Sequence, residues 1–203
     1  MSTLLQIELT ALPSKLIPGS PISDRELEEL CRNNDLIFFE RTREGEILMQ
    51  APAGGFTGQG NFEIVTQLGT WWKTHRNGRV FDSSTGFYLA DGSMLSPDAA
   101  YVLPEKLQGM SRADLEGFPR LCPDFVVELL SKSDRLQDAK TKMARWIENG
   151  AQVGWLIDPD QRSVYVYEAG NNPVAVTGTV VEGTGPIQGF NLDLNEVWSR
   201  YEL

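Results

Sequence analysis

The chain has 203 residues, of which 41% are hydrophobic and 23% charged; these are ordinary globular proportions, which argue against disorder and fit one domain over residues 1–203. It has no apolar stretch of about 18 residues to span a membrane, and its N-terminus has neither a basic region nor a small-residue cleavage site, so a cytoplasmic protein is expected. The formal net charge of −10 argues against a general nucleic-acid binder, but residues 1–72 and 151–203 each carry −5 while 120–150 carries +1.

Ser23-Asp24-Arg25-Glu26 has the form of a capping box and predicts a helix with Leu27, Leu30 and Cys31 on one face. Residues 36–40 and 46–50 predict a hairpin around Arg43-Glu44-Gly45. Residues 51–60 form a Gly-rich stretch, expected to be a loop; no Lys-Ser or Lys-Thr follows its last glycine, so it is not a Walker phosphate cradle. Ile64, Leu68 and Trp71 or Trp72 predict a helix over 61–74. The basic run Lys73, Arg76, Arg79 reads as a solvated helix end. Strands are expected at 79–81, 86–89 and 97–103, with the Asp91-Gly92 turn between the last two. Residues 104–122 read as a polar excursion. The run Phe125-Val126-Val127-Glu128-Leu129-Leu130 predicts a central strand buried on both faces. Ser133 is expected to cap a helix that runs to Asn149 and is closed by Gly150. Strands at 153–157 and 163–167 flank Asp158-Pro159-Asp160, and a short helix is expected over 194–201. Cys31 and Cys122 are far apart and outside any CxxC pair, which fits reduced core thiols. The order of elements predicts an α/β fold with a mixed sheet.

Chemistry is concentrated at two carboxylates. Glu128 lies in an apolar strand, where an unpaired charge costs several kcal/mol; it is protonated, or a cation stands beside it. Asp98 follows Pro97 at the start of another strand. Carboxylates on two adjacent strands can converge on a hard cation such as Mg²⁺. The alternatives are a strand-start cap for Asp98 and a structural salt bridge for Glu128, to Arg145 or Lys142. Asp138, Lys142 and Trp146 share one helix face. If that face packs over the strand, Lys142 reaches Glu128, where it could stabilise charge on a phosphate or orient water. The alternative is an intrahelical Asp138–Lys142 pair. A nucleophilic hydrolase lacks support, since Ser131 and Ser133 have only His75 as an imidazole base.

Ser96-Pro97-Asp98, then the segment from Phe125 to Ser133, then Asp138, Lys142 and Asn149-Gly150, resembles the Uma-two family of restriction-endonuclease-related proteins. Residues 80–87 and 154–159 strengthen the resemblance, which covers nearly the whole chain. It implies the PD-(D/E)XK nuclease fold, a restriction-endonuclease-like core with a central mixed β-sheet flanked by helices and with acidic residues binding Mg²⁺ or Mn²⁺. Asp98 matches the Pro-Asp aspartate and Glu128 the second acidic ligand. Leu130 stands where the superfamily usually has a lysine, and the resemblance moves that role to Lys142 on the following helix. Glu63 fits the auxiliary helix acid, or is a solvated helix carboxylate. Asn61 stands where many members carry histidine. The implied function is a Mg²⁺-dependent endonuclease acting on DNA, with a two-fold homodimer favoured for cutting both strands. The alternative is a catalytically degenerate nuclease-fold binding or assembly protein.

Overall fold

The computed structural model describes residues 14–34 and 36–199. In chain order its elements are β1 (Ser14–Leu16), α1 (Asp24–Arg32), β2 (Phe38–Arg41), β3 (Ile47–Gln50), α2 (Gly55–His75), β4 (Arg79–Asp82), β5 (Phe87–Tyr88), β6 (Met94–Leu95), β7 (Ala99–Val102), α3 (Pro104–Leu107), α4 (Arg112–Glu116), β8 (Phe125–Leu129), α5 (Leu136–Glu148), β9 (Val153–Asp158), β10 (Ser163–Glu168), β11 (Val174–Thr177), β12 (Val180–Glu182), β13 (Asn191–Asp193) and α6 (Leu194–Trp198).

The central sheet has the order β11-β10-β9-β8-β7-β4. Only β8 and β9 pair in parallel; the other neighbours are antiparallel. That parallel pair needs a crossover, which α5 supplies. All five residues of β8 and all six of β9 are buried, as expected for strands covered on both faces. One face packs Val127, Leu129 and Trp155 under Ile64 and Leu68 of α2, together with Leu192, Val197 and Trp198 from the C-terminal elements. The other packs Val126 and Leu156 under Met143 and Trp146 of α5. A second sheet, ordered β1-β3-β2-β6-β5, closes a third core, in which Leu27 of α1 meets Phe39, Ile47 and Met49. The result is a mixed α/β architecture of sheets flanked by helices, as the sequence predicted.

Several local expectations need correction. The Gly-rich stretch is a loop only to Gly54; α2 begins at Gly55 and takes in Gly58 and Gly60. Each helical glycine costs about 1 kcal/mol relative to alanine, but the buried Ile64–Leu68 stripe anchors the helix and lets it extend backwards. Ser133 does not cap α5: Arg135 is the N-cap residue, without a side-chain bond. Residues 131–134 instead close their own turn, with the Ser131 N–H donating to Asp134 Oδ2 at 2.8 Å. The Asp91-Gly92 turn joins β5 to an unforeseen two-residue strand, β6. The polar excursion holds the short helices α3 and α4, the latter opened by a Ser111–Asp114 capping box. In the C-terminal helix, Tyr201 lies outside the described residues.

Gly78, which follows the α2 terminus, has φ +65°, and a Cβ there would collide with the Val102 carbonyl oxygen and lie 2.9 Å from the Tyr101 ring. Gly78→Ala is therefore expected to lose about 2 kcal/mol or more in urea unfolding. Gly45→Ala, also at positive φ but with open space around it, should lose about half as much.

Candidate active site

Glu128 points from β8 toward α5. Its Oε1 accepts the Trp146 indole N–H at 2.8 Å, and the Lys142 ammonium lies 3.0 Å from both carboxylate oxygens. The i, i+4 spacing of Lys142 and Trp146 makes this possible: one helix face delivers a cation and a neutral donor to one buried carboxylate. The pairing is with Lys142 and not with Arg145, which meets Glu44. Asp138 is exposed. Lys132 is exposed in the turn, and Lys140 lies over the Tyr165 ring.

Glu40, a residue the sequence reading did not single out, completes the charge arrangement. It comes from β2 in the other sheet and is only 3% exposed. Its Oε1 lies 2.8 Å from the Lys142 ammonium and accepts the Ser96 N–H at 2.8 Å. Lys142 also donates to the Ser96 carbonyl oxygen at 2.8 Å. The signal was present in Ile37-Phe38-Phe39-Glu40, an acid inside an apolar strand, the same feature that marked Glu128.

Asp98 stands one residue before β7. Its N–H donates to the Val127 carbonyl oxygen at 2.9 Å, and its Oδ2 accepts the Leu129 N–H at 2.7 Å. The aspartate thus brackets Glu128 along the backbone of β8. Asp98 Oδ1 accepts from Asn61 Nδ2 of α2 at 2.8 Å, while Asn61 Oδ1 is buried and has no hydrogen-bond partner. Glu63, two residues further on, accepts from Gln67 Nε2 at 3.1 Å. Gln67 in turn bonds both backbone groups of Asp193. The side chain of α2 that meets Asp98 is Asn61.

Burial pushes the Glu128 carboxyl up to about 8, against the pull of the Lys142 ammonium and with the added repulsion of Asp98 and Glu40. Burial also raises Asp98, opposed by the Leu129 N–H, Lys142 and Asn61. For Lys142 burial acts downward, but Glu128 and Glu40 outweigh it and hold the ammonium above its ordinary value. Cys31 and Cys122 are both free thiols. Burial raises them to about 11 and about 12, so neither supplies a thiolate nucleophile at neutral pH.

The oxygen donors suit a hard divalent cation. The Glu128 carboxylate is buried, and the half-buried Asp98 carboxylate bonds the backbone of the next residue of β8, beside an amide oxygen left without a partner. Among the described residues no group of three His, Cys, Asp or Glu side chains is arranged to hold a metal ion. Mg²⁺ does not require one, because it commonly takes one or two carboxylates and completes its shell with water and substrate phosphate.

A family model described as "Uma2: Putative restriction endonuclease" matches residues 24–195. Among solved structures, the chain is similar to a protein from Anabaena variabilis ATCC 29413 described as "a putative nuclease belonging to DUF820". Identity is 20%, the match covers 80% of this chain and 90% of that one, and the TM-score is 0.67. At that identity the likeness shows the fold. No curated protein matches the chain.

Because Glu128 binds its proton more tightly in the folded than in the unfolded chain, its contribution to stability is greatest below its ordinary value of 4.5 and is lost as pH rises toward about 8. The unfolding free energy of wild type relative to Glu128→Gln should therefore fall between pH 5 and 8, by no more than about 1.4 kcal/mol per pH unit. Urea titrations of both proteins at several pH values measure this; a difference independent of pH would mean that burial does not govern Glu128.

Proposed function

Because the chain belongs to the Uma2 family, and so to the nuclease-like proteins, we propose that it is a divalent-metal-dependent endonuclease that hydrolyses DNA phosphodiester bonds. The observation that carries this reading is the Lys142 ammonium at 3.0 Å from Glu128, on the strand whose flanking backbone groups Asp98 engages. A lysine carried by α5 thereby occupies the neighbourhood that Leu130, an aliphatic side chain, cannot serve.

In this reading Asp98 and Glu128 would hold Mg²⁺ or Mn²⁺, which when bound supplies Lewis-acid stabilisation of the phosphate. Asn61 orients Asp98 through its amide N–H. Lys142 donates to a non-bridging phosphate oxygen, or holds the attacking water, as negative charge develops in the transition state. Trp146 keeps Glu128 from rotating by holding Oε1. Glu63, which accepts from Gln67 on the same helix, would support the metal site from α2. DNA is the proposed substrate, and a two-fold dimer would present two such sites to its two strands.

A second reading, a nuclease fold kept for binding or assembly, is favoured by one observation. Lys142 already has acceptors for three protons, from Ser96, Glu40 and Glu128, and could serve only to join the sheets.

Saturating Mg²⁺ should raise the melting temperature of the wild type above its value in EDTA, since it binds the native state. Asp98→Asn keeps an acceptor for the Leu129 N–H and should lose that shift. Lys142→Met leaves two buried carboxylates without their cation, so it should cost about 3–5 kcal/mol of stability. Assayed below its own melting temperature, it should cleave plasmid DNA about 100-fold or more slowly than wild type. If the wild type neither shifts with Mg²⁺ or Mn²⁺ nor cuts plasmid or single-stranded DNA, the binding or assembly reading stands instead.

A further inference from the structure

An ammonium group has three protons, and in Lys142 each has an acceptor: the Ser96 carbonyl oxygen at 2.8 Å, Glu40 Oε1 at 2.8 Å and Glu128 at 3.0 Å. A lysine in this state has no proton to give a phosphate. One contact must open before Lys142 can act, and the three are not equivalent. The Ser96 oxygen belongs to the backbone. Glu40 Oε1 is fixed by the Ser96 N–H on a carboxylate that is almost wholly buried. The Glu128 contact is the longest, is shared between two oxygens, and leaves Glu128 still held by Trp146 when it opens.

We propose that Glu40 is a positioning residue that retains Lys142 at the site when the Glu128 carboxylate is engaged elsewhere, so that the third ammonium proton becomes available without the lysine leaving. The inference rests on the metal-dependent reading for its purpose, though the retention itself can be measured without metal. Without Glu40, the ammonium and a divalent cation would compete for Glu128, and engagement of one would expel the other. With it, the lysine keeps a counter-charge that does not belong to the metal-binding pair. The N-terminal sheet then contributes directly to the chemistry of the central one, through β2.

The test is the slowly exchanging ammonium signal of Lys142 in ¹⁵N-labelled protein, assigned by its loss in Lys142→Met. In Glu128→Gln, where the competing charge is removed, the signal should persist. In Glu40→Gln/Glu128→Gln it should disappear, or its protons should exchange about tenfold faster or more, as expected for loss of a charged hydrogen bond. If the double variant does not fold, Glu40→Asp in the Glu128→Gln background, which draws the carboxylate back by one methylene, should show the faster exchange. Loss of the signal in Glu128→Gln alone, with amide dispersion intact, would overturn the proposal, as would an unchanged signal in the double variant. Saturating Mg²⁺ should shift the wild-type signal without abolishing it, and should abolish it in Glu40→Gln. A wild-type spectrum indifferent to Mg²⁺ would count against metal binding, while the Glu128→Gln comparison still decides the role of Glu40.

Discussion

One largely buried cation ties the two sheets to the crossover helix. The Lys142 ammonium bridges Glu40 of β2, Glu128 of β8 and the Ser96 carbonyl ahead of β7, so one group joins two sheets and a crossover helix. An unpaired carboxylate at either acidic position would be strongly disfavoured by desolvation, and two of them facing each other more so. The ammonium offsets part of both penalties at once, while burial still holds Glu128 above its ordinary value. It also fixes the rotation of α5, because the same helix face must deliver Trp146 to Glu128. Hydrophobic packing alone would tolerate small rotations of that helix; a cation meeting three acceptors at 2.8–3.0 Å does not.

This arrangement separates two demands that a strand lysine would combine. At position 130 the side chain is leucine, packed against the α5-side core, so β8 can end in apolar contacts. The charge arrives from the helix instead, on a four-carbon stem that can lie along apolar surface while its head meets the acids. The cost is dependence on tertiary structure: the charged group is in place only when α5 has docked on the sheet and the N-terminal hairpin has closed over both.

What the sequence discloses follows from these physical demands. Glu128 was legible because a charge in an unbroken apolar strand has to be explained, and Lys142 because helical spacing can be computed from the chain. Glu40 carries the same mark as Glu128, but it precedes a charged hairpin turn, and its partner lies 102 positions away. Nothing local announces that partner. The α2 side chain that meets Asp98 is Asn61, and Glu63 faces Gln67, because the choice between them depends on how α2 rotates over the sheet. The glycines before Asn61 concealed the start of that helix: local propensity spoke for a loop, and packing further along overrode it. The cap at Ser133 failed for a comparable reason: the turn engages its hydroxyl with that of Ser131 at 2.9 Å, and α5 is capped two residues further on, at Arg135.

Asp98 has two occupations that evolution need not keep together. One of its oxygens replaces a missing ladder partner for the Leu129 N–H, and the other secures α2 through Asn61. Selection for folding alone would thus retain this aspartate in a lineage that had abandoned hydrolysis. A Pro-Asp pair in a relative can mark the start of a strand as readily as a metal-binding site. The lysine is a sharper marker only when its acidic partners on both sheets are read alongside it.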